Sequence, residues 1–162
     1  MRCAVVLTAL LIAASTASAA PPRAGVLVPG KSLGGVSLGA SRGDVRAAWG
    51  ARHGTCRGCR KPTWYFNFAR FEPQGAGVTF GRGRVVAIFT LWAPGGWRTS
   101  RGLEIGDEAA RVAALHRGLI RVNCGTYYAL TQDHPRAVTA IYVHDEKVWG
   151  FGLSRPREPV CR

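Results

Sequence analysis

The stretch that decides the fold is Gly35-Val-Ser-Leu-Gly-Ala-Ser-Arg-Gly-Asp-Val-Arg-Ala-Ala-Trp-Gly50. It returns, at a constant offset, as Gly102-Leu-Glu-Ile-Gly-Asp-Glu-Ala-Ala-Arg-Val-Ala-Ala-Leu-His-Arg117. In each copy, apolar residues two positions apart precede a glycine that ends the extended segment. The residues after the glycine space their apolar side chains at i, i+3 and i+4, which predicts a short helix with one apolar stripe. We expect Ser41 and Asp107 to cap the two helices.

Three strand-like segments follow each predicted helix. They lie at 63–68, 77–80 and 84–92 in the first half and at 125–130, 138–143 and 148–153 in the second half, with tight hairpins at 81–84 and 144–147. This order predicts an α+β fold in which two tandem α-βββ repeats form a curved antiparallel sheet with helices on one face. We assign residues 33–97 to repeat 1 and 98–162 to repeat 2 of one compact domain, after a flexible N-terminal segment at 20–32.

A Gly-φ-x-φ-Gly turn, a short helix with a central valine and a β-meander thus occur twice, over residues 33–161. This pattern resembles the tandem repeat of β-lactamase-inhibitory-protein-like (BLIP-like) proteins. It is also similar to the single repeat of the small outer-membrane-assembly lipoproteins of the SmpA/OmlA type. The resemblance implies a function in protein–protein binding without catalysis.

The N-terminus has the pattern of a secretory signal. A short positive start precedes an apolar run at 4–14, and Ala17-Ser18-Ala19 fits the small-residue cleavage rule. We therefore predict a signal peptide at 1–19, cleaved after Ala19, and a secreted, extracellular or periplasmic protein. The apolar run is shorter than the roughly 20 residues of a membrane-spanning helix. No later segment has this length, so the mature chain is expected to have no transmembrane segment.

Four cysteines remain after cleavage, and an exported chain favours disulfides. Three pairings are conceivable, and we predict Cys56–Cys59 and Cys124–Cys161 because each bridge then stays inside one half of the chain. Two alternatives exist for the first pair: a redox-active thiol pair, or a zinc site that includes His53. A helix after the pair and a second ligand cluster are missing, which favours the structural disulfide. We expect no metal and no cofactor.

The chain is strongly basic, with 22 Lys+Arg against 9 Asp+Glu and a formal net charge of +13. Its arginines lie dispersed in separate turns, a distribution more typical of a solvated surface than of a nucleic-acid site. Contact with anionic cell-envelope polymers through this arginine surface is the alternative function that the charge suggests.

The long strands do not alternate apolar and polar residues, so the sheet face away from the helices is predicted to be aromatic. This face leads to our main hypothesis, a non-catalytic, inhibitor-like or envelope-accessory protein that docks an extracellular or envelope protein. The alternative is that loops or the other half of the chain cover the face and make it a second core. The predicted partner-binding residues are Tyr65, Trp92, Tyr142, Trp149 and Phe151.

The sequence contains no H-E-x-x-H motif, and its four histidines are isolated from one another. The letter pattern G-x-S-x-G occurs at 30–34, 35–39 and 39–43, the last two inside the repeated glycine motif, and G-x-x-x-x-G-K-S occurs at 25–32. We therefore predict that the protein is not an enzyme. A small secreted enzyme, built from residues that meet only in space, is the third hypothesis.

Overall fold

The computed structural model describes residues 24–66, 75–92 and 96–162. The predicted signal peptide and its cleavage site therefore lie outside the described residues. Along the described chain the elements are β1 Gly25–Val28, β2 Ser32–Leu33, β3 Val36–Ser37, α1 Arg42–Trp49, β4 Gly54–Thr55, β5 Thr63–Phe66, β6 Gly75–Gly81, β7 Arg84–Leu91, β8 Trp97–Thr99, α2 Ala109–Leu115, β9 Ile120–Asn123, β10 Tyr128–His134, β11 Ala137–His144 and β12 Lys147–Ser154.

The strands form two sheets. The larger sheet is antiparallel and has eight strands in the order β4-β5-β6-β7-β12-β11-β10-β9. The smaller sheet has the order β3-β2-β1-β8 and is mixed, because β1 pairs with β8 in parallel. Neither helix of the described chain has the length and apolarity that a membrane crossing requires.

The predicted α+β class with helices as a layer on one face is wrong, because the described part of the chain is mostly β, with 48% of its residues in strands and 12% in helices. The two helices have only 8 and 7 residues, too few to cover an eight-stranded sheet. The small sheet supplies part of the missing cover. Leu27 and Leu33 on β1 and β2 are fully buried in the core, although they lie in or next to the segment predicted to be flexible.

The two glycine motifs of the sequence make matching hydrogen bonds. The glycine before each helix has a positive φ, +86° at Gly39 and +94° at Gly106, a conformation that favours glycine. Each motif pairs with the strand residue that follows a hairpin, through Gly39 N–Val85 O (2.8 Å), Val85 N–Ala40 O (2.9 Å), Gly106 N–Val148 O (2.8 Å) and Val148 N–Asp107 O (2.8 Å). Val85 and Val148, each the residue after a predicted hairpin, therefore hold equivalent positions in the two halves of the chain.

The helix caps differ between the two copies. Ser41 caps α1 as predicted, in a capping box with Asp44. The predicted cap by Asp107 is wrong: the N-cap of α2 is Glu108, which makes no side-chain capping bond. Asp107 instead accepts hydrogen bonds from the backbone N–H of Glu104 and from Arg111.

A one-residue bulge interrupts the β6–β7 hairpin. Thr79 pairs with Ala87 and Phe80 pairs with Val85, so Val86 is the extra residue. An extra residue reverses the alternation of side chains beyond it. A second bulge stands at the corresponding place in the β11–β12 hairpin, where Trp149 is the extra residue between the partners of Tyr142 and Val143.

His116 ends α2 in a buried position, with 2% of its surface exposed. The Thr99 hydroxyl oxygen accepts hydrogen bonds from the backbone N–H groups of Arg101 and Leu103, so its own hydrogen is directed to His116 Nε2, 3.2 Å away. This bond requires the neutral imidazole. Burial, aided by the positive charge of Arg101, lowers the pKa of His116.

Candidate ligand-binding cleft

The five predicted partner-binding residues do not form one open face. Trp92 is 46% exposed, and Tyr65 and Trp149 are half-buried. The prediction that Phe151 lies on the partner-binding face is wrong: it is fully buried in the main core, because the bulge at Trp149 turns it inward. Tyr142 does lie on the second face, but it is 1% exposed and cannot contact a partner.

The chain after β12 covers much of this second face, and we call residues 155–162 the covering segment. It begins where Arg155 N donates to the bulge carbonyl of Val86 at 2.9 Å. Further along, Tyr142 Oη donates to the carbonyl of Val160 at 2.8 Å. In this part of the sheet, the second face is therefore a covered second core, which was the alternative to an open docking face. Its buried residues are Phe89, Tyr127, Ala129, Ala140 and Tyr142.

Both predicted disulfides are confirmed. Cys124–Cys161 joins the covering segment to the turn between β9 and β10, across a sequence separation of 37. Cys56–Cys59 closes a short loop beside β5. Since both sulfurs of that loop are in the disulfide, the zinc alternative lacks its thiolate ligands. Its third ligand, His53, stacks on Trp64 with ring centroids 3.9 Å apart.

A cleft of about 540 Å³ lies between β5–β7 and the covering segment. Its apolar surface comes from Tyr65, Phe89 and Leu91, with the Tyr65 and Phe89 rings edge to face at 6.1 Å. One cysteine of each disulfide lines it, Cys59 and Cys161. The two disulfides thus hold opposite walls of the same cleft.

Glycines next to Phe89 make room for the aromatic rings. Gly77 is the cross-strand partner of Phe89, and a Cβ at this position would lie only 2.3 Å from the Phe89 ring. On the other side of Phe89, its partner Gly152 leaves space for the hydroxyl of Tyr142, which a Cβ would approach to 2.4 Å. The ring of Phe89 therefore lies low against the sheet, an arrangement known from aromatic residues beside strand glycines.

The rim of the cleft is strongly basic. Among the described residues its lining contains four cationic side chains and one acidic side chain, Glu158, which forms an ion pair with Lys61 at 2.7 Å. The other three cations, Arg60, Arg157 and Arg162, have no acidic partner within the described chain. The cleft therefore carries an excess of positive charge above an apolar floor.

Arg162 is the cation closest to the apolar floor. Its guanidinium carbon lies 5.2 Å from the centroid of Phe89. Its Nε is buried and finds no acceptor among the described residues. Nearby, burial raises the pKa of Tyr142 to about 12, an effect that the positive charge of Arg162 partly offsets.

A second aromatic group stands at the end of β7. Trp92 has a positive φ of 47° and donates its backbone N–H to the carbonyl of Trp149 at 2.9 Å. The two indoles meet edge to face at 6.0 Å, and Trp149 also contacts Tyr127 at 5.0 Å. Trp92 is the residue after Leu91, and Leu91 lines the cleft.

Sequence reasoning missed Phe89, Leu91, Arg157 and Arg162 as site residues. Strict alternation from Val85 would direct Phe89 and Leu91 toward the helices, but the bulge at Val86 turns both to the opposite face. The arginines belong to the covering segment, whose path follows no strand or helix pattern. The signal that could have found them is the disulfide, since pairing Cys161 with Cys124 brings the residues before it onto the sheet.

Comparisons with known proteins bear on the fold alone. No family model and no curated protein matches the chain. A DUF4309 family protein of Bacillus subtilis has a similar structure, with a TM-score of 0.52, 16% identity, and coverage of 72% of this chain and 78% of that one. An extracellular protein containing an SCP domain, from Bacillus anthracis, aligns with a TM-score of 0.48 and 12% identity over 74% of this chain. The chain spans 44% of that protein's length. These neighbours leave the BLIP-like resemblance a prediction, and the likeness to the DUF4309 family protein concerns the fold alone.

Proposed function

We propose that the protein is an exported, non-catalytic binding protein that holds an apolar ligand group in the cleft between β5–β7 and the covering segment. The observation that carries the proposal is the cleft itself. Its volume of about 540 Å³ lies within the range of roughly 300–1,000 Å³ that is usual for small-molecule sites. Its Tyr65, Phe89 and Leu91 surface supplies the apolar contact, and its lining also contains the buried Thr63 and Thr79 and the charged side chains of the rim.

A flat aromatic docking face is less well supported than the cleft. A stable protein–protein interface needs about 800 Å² from each partner, centred on accessible aromatic anchors. Two of the five expected anchors, Tyr142 and Phe151, are buried. The contact region that remains is the cleft with Trp92 at its edge.

The lining of the cleft also supports binding rather than catalysis. It contains no histidine, and its one carboxylate, Glu158, is engaged by Lys61. A general base must be free to accept a proton within hydrogen-bond reach of the ligand. Export is supported by the two disulfides, which persist in oxidising compartments, and by the signal-like N-terminal sequence.

Titration with a neutral apolar fluorophore, N-phenyl-1-naphthylamine, tests the proposal. We expect a saturable rise in emission with the oxidised protein and its loss in the Leu91→Glu variant. Ile120→Glu is the matched control, because Ile120 is 60% exposed on β9, outside the cleft, and its replacement should leave binding unchanged.

Leu91→Ala accompanies these variants in case Leu91→Glu does not fold. It shortens the side chain without adding a charge, and about threefold weaker binding is expected from the lost apolar contact. Absence of saturable binding to the wild type, or equal loss in the Leu91 and Ile120 variants, would rule out the cleft as the binding site.

A further inference from the structure

We infer that the ligand of this cleft is an anionic amphiphile, a single apolar chain that ends in a carboxylate received by the guanidinium of Arg162. The inference rests on the proposed function and adds the chemical class of the ligand. Three observations carry it: the charge of the rim, the position of Arg162 at the edge of the apolar floor, and the interior position of the strands that form the floor.

The charge of the rim selects against cationic and, to a lesser degree, neutral ligands. The described lining contains four cationic side chains and one acidic side chain. Lys61 and Glu158 form an ion pair and neutralise each other. Arg60, Arg157 and Arg162 remain around an apolar floor that lowers the local dielectric. A charge-assisted hydrogen bond is stronger in such surroundings than in open solvent.

Arg162 is positioned for an anion at the edge of the apolar floor. Tyr127 Oη accepts a hydrogen bond from the backbone N–H of Arg162 at 2.6 Å and donates to its carbonyl at 2.7 Å, and the neighbouring Cys161 is tied to Cys124. The backbone of the residue is therefore fixed before a ligand arrives. Its Nε lacks an acceptor among the described residues but is buried, so a ligand in the cleft would meet the outer edge of the guanidinium rather than this atom. A planar guanidinium matches a carboxylate with two parallel hydrogen bonds.

The strands beneath the cleft favour an alkyl chain over a peptide. In the sheet, β6 lies between β5 and β7, and β7 pairs with β12 on its other side. Their backbone groups are therefore already paired, and a peptide in the cleft would find no strand edge to extend. Its amides would be buried without partners, a cost that an alkyl chain does not have.

Displacement of N-phenyl-1-naphthylamine by three ten-carbon compounds, below their micelle-forming concentrations, tests this inference. We expect decanoate to displace the probe at a concentration about tenfold lower than decanol, as charge-assisted hydrogen bonds predict. Decyltrimethylammonium should be the weakest competitor. Equal potency of decanoate and decanol would overturn the inference and leave the proposed function intact, whereas absent probe binding would count against the proposed function itself.

Two variants test whether Arg162 binds the carboxylate of the ligand. Arg162→Gln should abolish the advantage of decanoate over decanol, measured as the ratio of the two displacing concentrations in the same variant. Arg136→Gln, an exposed residue in the β10–β11 turn that does not line the cleft, is the matched control and should leave this ratio unchanged. Retention of the full advantage in Arg162→Gln would overturn the assignment to Arg162. A tripeptide, acetyl-Ala-Ala-Leu with a free carboxylate, that competes as well as decanoate would overturn the choice of an alkyl chain.

Discussion

Loss of the Cys124–Cys161 disulfide should destabilise the protein far more than loss of Cys56–Cys59. In the chain-entropy model, a bridge with a sequence separation of 37 stabilises the fold by about 4 kcal/mol, and one with a separation of 3 by about 1.6 kcal/mol. The expected difference between the two double Cys→Ser variants is therefore about 2 kcal/mol. The longer bridge also holds the covering segment over Tyr127 and Tyr142, so its loss exposes apolar surface as well.

Denaturant unfolding of the two variants, followed by tryptophan fluorescence, measures this difference directly. The Cys56→Ser/Cys59→Ser variant is the matched control, because it removes the same number of sulfur atoms from the other wall of the cleft. We also expect the Cys124→Ser/Cys161→Ser variant to lose binding of N-phenyl-1-naphthylamine, since the covering segment forms one wall. Equal losses of unfolding free energy would refute the assignment of a long-range structural role to this bridge.

Three further predictions concern single residues. Phe151→Ala should lower the free energy of unfolding by about 3–5 kcal/mol, because Phe151 is fully buried. Trp92→Ala should lower it by less than about 1 kcal/mol, because Trp92 is half-exposed. Equal losses in denaturant melts would contradict the faces assigned to these two residues. Gly77→Ala should cost about 1–3 kcal/mol, since its Cβ would collide with the ring of Phe89, and an unchanged thermal midpoint would disprove the contact. Because burial lowers the pKa of His116, the unfolded chain binds a proton that the folded chain does not, so stability should fall as the pH drops below about 6.5. Unfolding at pH 7.5 and pH 5 should show a smaller fall in His116→Gln, and an identical fall would exclude this residue as the cause.

Local patterns predicted six of the eight strands of the larger sheet, although β10 begins later than the predicted segment at 125–130, and β4 and β9 were not predicted. The hairpins at 81–84 and 144–147 form as expected, with Gly81 opposite Arg84 and His144 opposite Lys147. Both helices also exist, α1 with its Ser41 cap. Such features depend on a few neighbouring residues, so the sequence contains their signal. The proportion of helix to strand could not be predicted in this way, because β1, β2, β3 and β8 are very short and β1 pairs with β8 from a distant part of the chain.

The side-chain faces were predictable only as far as the first bulge. With strict alternation, Val85 and Phe89 on β7 share one face, but the extra residue Val86 sends Phe89 to the opposite side. The same displacement beyond Trp149 takes Phe151 into the main core. Nothing in the residue types of Val86 or Trp149 marks a bulge, since both are ordinary strand residues. A one-residue error in register therefore assigned Phe89, Leu91 and Phe151 to the wrong faces.

The covering segment explains why the cleft could not be derived from strand patterns. Its position depends on the Cys124–Cys161 bridge, on the hydroxyls of Tyr127 and Tyr142, and on the Arg155–Val86 backbone bond, all of them contacts with residues far along the chain. The same contacts that cover the second core also bring Arg162 to the floor of the cleft. Stability and binding are therefore coupled through one segment. A change that releases the covering segment should remove a wall of the cleft while the paired strands of the large sheet remain.

This coupling predicts that ligand binding is lost at a lower denaturant or reductant concentration than the structure of the large sheet. Probe emission and far-ultraviolet circular dichroism, measured on one sample, compare the two concentrations. Coincident loss of both signals would mean that the covering segment and the sheet unfold as a single unit.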